Sequence, residues 1–260
     1  MRIRLHSWYE HFPNHKPVEG EPYVDVYNDT FSYEAPNGAI ILLIEPRSIQ
    51  PRVYEWIEQN YRSFKCIFTH DGILLNKCDN AKLILWSGGC GGISPYPIIK
   101  KTKSISIVSS NKEMCELHKA RIELARMLKD NPLVDVMGTI DGGEYVQPDM
   151  IYPEYKFSIA FENYIDDYWF TEKICNCFAN KTVPIYFGAR KINEFFNPWG
   201  IIQVDDWRRI PAVIDKMDLD FAYKMRLEAI EDNYERVKKY DTFENWFYRE
   251  YEELLNDLHS

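Results

Sequence analysis

Short apolar runs alternate with amphipathic helical stretches along almost the whole chain, and that alternation admits few architectures other than α/β with parallel sheets. Arg2 to Trp8, Tyr23 to Tyr27 and Ala39 to Ile44 read as strands. Arg52 to Phe64 reads as a helix, because Val53, Trp56, Ile57 and Tyr61 fall on one face. Cys66 to Thr69 and Leu83 to Trp86 are strands again. The pattern then breaks. Ser87 to Gly92 is glycine-rich, Ser94-Pro95-Tyr96-Pro97 follows, and Lys100 to Lys103 is a short basic cluster. A boundary near residue 100 divides the chain into two Rossmann-like lobes, 1–103 and 104–260.

The second lobe restarts the alternation. Ser104 to Ser109, Val134 to Met137, Tyr155 to Phe161, Val183 to Phe187 and Ile201 to Val204 read as strands. Asn111 to Lys129, Thr171 to Ala179 and Ile210 to Met217 read as helices, and Phe221 to Leu255 as mostly helical. Phe243, Trp246, Phe247, Tyr251, Leu254 and Leu255 share helical spacing and read as core packing. In open parallel sheets ligands bind beyond the carboxyl ends of the strands, so functional residues are expected just after them, around a cleft between the lobes.

Charge and cysteine usage narrow the class. A net charge of -9 argues against a general nucleic-acid binder, which needs a basic footprint. The opening run Met1-Arg2-Ile3-Arg4-Leu5-His6 does not resemble a secretory signal, and no segment approaches the ~20 apolar residues that span a bilayer. A cytoplasmic protein with no transmembrane segment is the expectation. The six cysteines lack zinc-site spacing. Cys66, Cys115, Cys175 and Cys177 lie within strand-like or helix-like stretches and read as small apolar residues.

One corner points to anion chemistry. A strand ends at Phe161, and a helix begins near Thr171, a reasonable N-cap. Glu172 in the first turn suits the helix dipole, whereas Lys173 opposes it. A bound anion explains that lysine: free N–H groups plus an ammonium make a diphosphate site. The bland reading has Lys173 in solvent or paired with a nearby acid. Arg121, inside the Asn111 to Lys129 helix, is a second available cation, with a plain surface role as its alternative. Two cations neutralise a diphosphate leaving group without a metal. Asp218 and Asp220 have Asp-x-Asp spacing, but they follow a helix and read better as an N-cap and turn. No Gly-x-Gly-x-x-Gly opens a helix after a strand, and neither Gly-x4-Gly-Lys-Ser/Thr nor Gly-x-Ser-x-Gly occurs.

Taken in order, Tyr155 to Asn163, Thr171-Glu172-Lys173, Thr182 to Gly188, Phe196-Asn197-Pro198 and Val204-Asp205-Asp206 resemble the donor-binding domain of the α-1,3/1,4-fucosyltransferase family. The resemblance covers roughly Ser104 to Asp206. It implies a GT-B type fold with two Rossmann-like lobes, the first on the acceptor side and the second binding the nucleotide sugar. It also implies GDP-fucose as donor, inversion at the anomeric carbon and no metal or other cofactor. By the same resemblance Arg121 and Lys173 contact the diphosphate, and Glu172 the ribose. Glu162, Asn163 and Thr171 line the donor site, with Tyr168 and Trp169 nearest the nucleotide. The base is expected at a strand end in the first lobe, where Glu45 closes Ile40-Ile41-Leu42-Leu43-Ile44-Glu45-Pro46; Asp71 is the reserve, with His70 beside it.

The expected partners are thus a nucleotide-sugar donor and an acceptor oligosaccharide or glycan, with no nucleic acid. The alternatives are the same fold with another nucleotide-sugar donor, a metal-dependent transferase using Asp218 and Asp220, or a silent glycan- or nucleotide-binding protein. The first lobe carries the resemblance only faintly, and the acidic, aromatic tail departs from the basic amphipathic tail of some bacterial members.

Overall fold

The computed structural model describes residues 1–85, 93, 95 and 97–259. The chain divides into two compact units. Unit 1 comprises Met1–Gly92, Asp166–Trp169 and Tyr240–Ser260, and unit 2 comprises Ile93–Ile165 and Phe170–Lys239.

Unit 1 holds a parallel sheet in the order β1 (Arg2–His6), β2 (Tyr23–Asn28), β3 (Ile40–Leu42), β4 (Cys66–Thr69) and β5 (Ala81–Leu83). With strands in chain order, right-handed crossovers put their connections on one face. The period of two along β3 and β4 sorts the side chains accordingly. Ile41 and Ile67, partners in register, pack with Val53, Tyr54 and Ile57 of α1 (Pro51–Asn60) and Leu74 of α2 (Gly72–Lys77). Phe68 points the other way and meets α9 (Phe243–His259), with ring centroids 4.9 Å from both Phe247 and Tyr251.

The sequence reading placed residues 240–260 with the second lobe; the structure places them in unit 1. The cause is aromatic packing. Phe12 lies 5.7 Å from Phe243 and 5.2 Å from Phe247, centroid to centroid, and His15 stacks on Tyr248 at 3.6 Å. Buried Glu244 accepts from the Asn14 backbone N–H, its side-chain amide and His15 Nδ1 at 2.7–2.9 Å.

Unit 2 holds a second parallel sheet, ordered β10 (Ile202–Gln203), β9 (Val183–Phe187), β8 (Tyr155–Phe161), β6 (Lys103–Val108) and β7 (Val134–Met137). The strand order reverses at β6, whose neighbours are β7 on one side and β8 on the other. Such a switch point opens a crevice at the carboxyl ends of the strands. Two helices feed it: α3 (Glu116–Leu128) follows β6 and α5 (Glu172–Ala179) follows β8. All five residues of β9 are buried, as its unbroken apolar run requires.

Several elements differ from expectation in extent. The helix expected from Asn111 starts at Glu116, and the expected Leu83 to Trp86 strand is observed as Ala81–Leu83, which pairs with the end of β4. Trp86 and the glycine-rich Ser87 to Gly92 patch lie outside the described residues. The expected Ile210 to Met217 helix is α6 (Ile210–Lys216), and the helical tail is broken into α7 (Leu219–Lys224), α8 (Leu227–Val237) and α9. The four-residue Pro148–Ile151 is α4. Asp218 caps α7 by accepting the Phe221 N–H at 3.0 Å, and Asp220 pairs with Lys156. Those engagements match the cap-and-turn reading of the Asp-x-Asp pair.

Candidate functional site

At the switch point of unit 2 lies a cavity of about 260 Å³. Its wall combines the end of β6 (Val108) with Ser110, the end of β8 (Ser158 to Phe161), Arg121 from α3, and Glu172, Lys173 and Asn176 from α5. Tyr145, Val146, Pro148, Ile151 and Tyr152 complete it.

The α5 N-terminus is built around one buried carboxylate. Glu162, the first residue past β8, is fully buried. It accepts the Thr171 backbone N–H at 2.9 Å and the Thr171 hydroxyl at 2.8 Å, and Lys173 Nζ lies 3.3 Å away. Thr171 caps the helix, its Oγ1 accepting from the Lys173 backbone at 3.4 Å and from Lys173 Nζ at 2.9 Å. Glu172 Oε1 closes the set, 3.3 Å from the same ammonium. Glycine leaves room for this group: a Cβ on Gly188 would stand 2.2 Å from the Tyr186 hydroxyl and 2.7 Å from Glu162 Cγ, so those side chains would have to shift.

Lys173 therefore pairs with acids, as the bland reading held, and it also lines the cavity. Burial opposes its charge, but the Glu162 and Glu172 carboxylates outweigh burial and hold its pKa above the ordinary lysine value. Burial pushes Glu162 up from the usual carboxylate range.

Arg121 is 9% exposed, and its Nε has no hydrogen-bond partner among the described residues. Burial lowers its pKa, yet a guanidinium keeps its charge in proteins. A buried cation with an unmet donor, in the wall of a cavity, is an anion-binding element. His118 was missed in the sequence, although it stands one helical turn before Arg121. Burial first, then Arg121, Lys112 and Lys173, push it down to about 4, so the imidazole is neutral near pH 7. The permanent positive charge of the wall is then carried by Arg121 and Lys173. Ser110, Tyr145, Tyr152 and Asn176 were also missed. Only Asn176 carried a signal, three residues beyond Lys173 on the same helix face.

The remaining expected donor residues are placed differently. The backbone carbonyl of Asn163 accepts from the Cys115 thiol at 3.3 Å. Trp169 is buried in unit 1, its ring 4.3 Å from that of His70, and Tyr168 is half-buried in the same unit. The structure groups neither with the cavity wall.

In unit 1, Glu45 follows β3 and is half-buried. Asp71 has no free carboxylate oxygen: Arg47 binds both at 2.8 Å, and Oδ1 also accepts the Leu74 N–H to cap α2. Among the described residues no group of three or more His, Cys, Asp or Glu side chains is arranged to hold a metal ion.

Two parallel sheets, one with a cation-lined cavity at its topological switch point, fit a GT-B-like glycosyltransferase fold, and comparison with solved structures agrees. A crystal structure of an alpha1,3-fucosyltransferase with GDP superposes with a TM-score of 0.61 at 14% identity, covering 99% of this chain and 89% of that one. Sucrose-phosphate synthase from Thermosynechococcus elongatus gives 0.60 at 9% identity, over 90% of this chain and 74% of the other. TarM gives 0.59 at 13% identity, over 92% of this chain and 55% of the other. At these identities the likeness speaks for the fold. The sequence goes further: residues 98–246 match the model of glycosyltransferase family 10 (fucosyltransferase), C-terminal part, and the chain belongs to that family. The alpha-(1,3)-fucosyltransferase FucT of Helicobacter pylori is 36% identical over 62 residues, which span 24% of this chain and 13% of that protein. No described helix is long and apolar enough to cross a membrane.

Proposed function

We propose that the chain is an inverting, metal-independent fucosyltransferase that moves fucose from GDP-fucose to a hydroxyl of an acceptor glycan. One observation carries the reading: a buried guanidinium with an unmet donor and a capped, lysine-bearing helix N-terminus line one cavity at the switch point. Arg121, Lys173 and the positive N-terminal end of α5 would bind the diphosphate and stabilise the charge that develops as GDP leaves. Glu172, on the cavity wall beside Lys173, is assigned to the ribose. Glu162 acts through others: it fixes Thr171 and Lys173.

Glu45 is assigned as the general base that takes the acceptor proton while the hydroxyl attacks the anomeric carbon opposite GDP. It is preferred over Asp71 because the Asp71 oxygens are committed to Arg47 and to the α2 cap. A base that leaves donor binding alone gives a clean separation. Glu45→Gln should cut turnover by roughly 10²–10⁴-fold while leaving GDP affinity unchanged.

The deciding test is calorimetric titration with GDP, UDP and GDP-fucose, with and without EDTA. Binding of GDP and GDP-fucose but not UDP, indifferent to EDTA, is the expected result. Preference for UDP would transfer the reading to another donor, and loss of binding in EDTA would end the metal-independent mechanism.

A further inference from the structure

Beyond the cavity, the least expected feature of unit 1 is Asp29. It directly follows β2, adopts a left-handed backbone with φ of 48°, and is 8% exposed. Left-handed geometry is unfavourable for a non-glycine residue, and so is burying a carboxyl group. A carboxyl group kept in so unfavourable a place is held there by what it contacts. Its Oδ1 accepts the N–H of Ile44 at 2.9 Å and the N–H of Glu45 at 3.2 Å.

The other side of Glu45 is also fixed. The buried Tyr54 hydroxyl donates to the Glu45 carbonyl at 2.7 Å. Pro46 follows, with its φ set by the ring. Asn28, one residue before Asp29, extends the bracing: its amide donates to the Leu42 carbonyl at 2.9 Å, and its oxygen accepts from Ser7 at 2.8 Å. The peptide groups on both sides of Glu45 are thus tied to buried side chains, while its own carboxylate stands in a half-buried position.

We propose that Asp29 is a positioning residue for Glu45: its carboxylate clamps the backbone N–H of the base and so fixes the direction in which the base presents its oxygens. The inference rests on the reading of Glu45 as the base. It is supported by mutual charge. Burial first, and the Glu45 carboxylate among the lesser causes, push Asp29 up to about 7, against the pull of the two backbone N–H donors and the Asn28 side chain. Charge coupling is reciprocal, so the two carboxyl groups sense each other across the clamp.

The test uses the whole chain with Asp29→Asn, Asp29→Ala and Glu45→Gln. GDP release from GDP-fucose, with water as the acceptor, is read alongside GDP affinity, and the backbone amide signal of Glu45 is followed against pH by NMR. Asp29→Ala should lower kcat at least tenfold with GDP affinity unchanged. Asp29→Asn, which keeps one accepting oxygen, should recover part of that loss, and the titration of the Glu45 amide signal near pH 7 that the unaltered chain shows should disappear in it. A merely structural role would not move the kcat-against-affinity split. A Glu45 amide signal that does not titrate near pH 7 in the unaltered chain overturns the proposal even if Asp29→Ala fails to fold. Wild-type turnover in Glu45→Gln overturns the base reading itself. Loss of turnover in Glu45→Gln with normal turnover in Asp29→Asn and Asp29→Ala overturns only the clamp.

Discussion

Lys173 is held by two carboxylates and yet lines the cavity, so its part in donor binding and its part in stability can be separated. Lys173→Ala should weaken GDP binding by roughly 10–100-fold, the worth of a charge-assisted hydrogen bond, and calorimetry reads it directly. Glu162→Gln should act on the fold. It leaves a partly buried ammonium short of its fully buried partner, at a cost of about 3 kcal/mol in denaturant unfolding. A second residue-scale prediction concerns pH. Burial pushes His70 down to about 3, so its contribution to stability is complete above about 6.5 and is lost as pH falls toward 3. Asp29 runs the opposite way: its pKa is raised to about 7, so its contribution is complete below 3.8 and lost as pH rises through 7. Between these limits the two offset each other. Urea unfolding across pH 4 to 7 should therefore fall more steeply on the acid side in Asp29→Asn than in the unaltered protein.

The residues that the sequence made legible are those whose chemistry conflicts with their local position. Lys173 stands against a helix dipole, a conflict visible without a structure, whereas Glu162 was reached only through the family resemblance. His118 and Asp29 create no such conflict in one dimension. Nothing in Asn28-Asp29-Thr30 signals a left-handed, buried carboxylate, because the N–H groups it serves lie fifteen and sixteen residues away.

Among the elements, those that depend on periodicity were readable, and those that depend on a single tertiary contact were not. β8 and β9 are fully expressed in their apolar runs. Helix α2 has six residues, too few to show a period, and it exists because Asp71 caps it while Arg47 holds Asp71. The loop after β9 illustrates the same dependence. Gly188→Ala places a methyl against the Tyr186 hydroxyl and Glu162, so it should displace Glu162 and lower both melting temperature and GDP affinity. Retention of both values would show that the Glu162 shelf is less rigid than its packing implies. At α9, Phe247→Ala removes a buried ring that touches Phe12, Phe68 and Tyr251. It should cost about 3–5 kcal/mol in the unfolding of unit 1, read by denaturant titration.

At the scale of the molecule, two parallel sheets followed from the alternation of runs, whereas their strand order and the partition of the chain did not. Amphipathic spacing marked residues 243–255 as buried, but a hydrophobic face does not name what it packs on. The aromatic partners at Phe12 and Phe68 are more than 170 residues upstream. The chain path that results has a consequence for synthesis. Unit 1 is written mostly in the first and last stretches of the chain, with all of unit 2 between them. A ribosome working at ~5–20 residues per second delivers the first five strands on the order of ten seconds or more before the helix that covers Phe68. Unit 2 is therefore completed first, although it is begun second. During that interval the nascent sheet of unit 1 presents Phe12 and Phe68 uncovered, as a ready target for a chaperone or for a neighbouring chain on the same message.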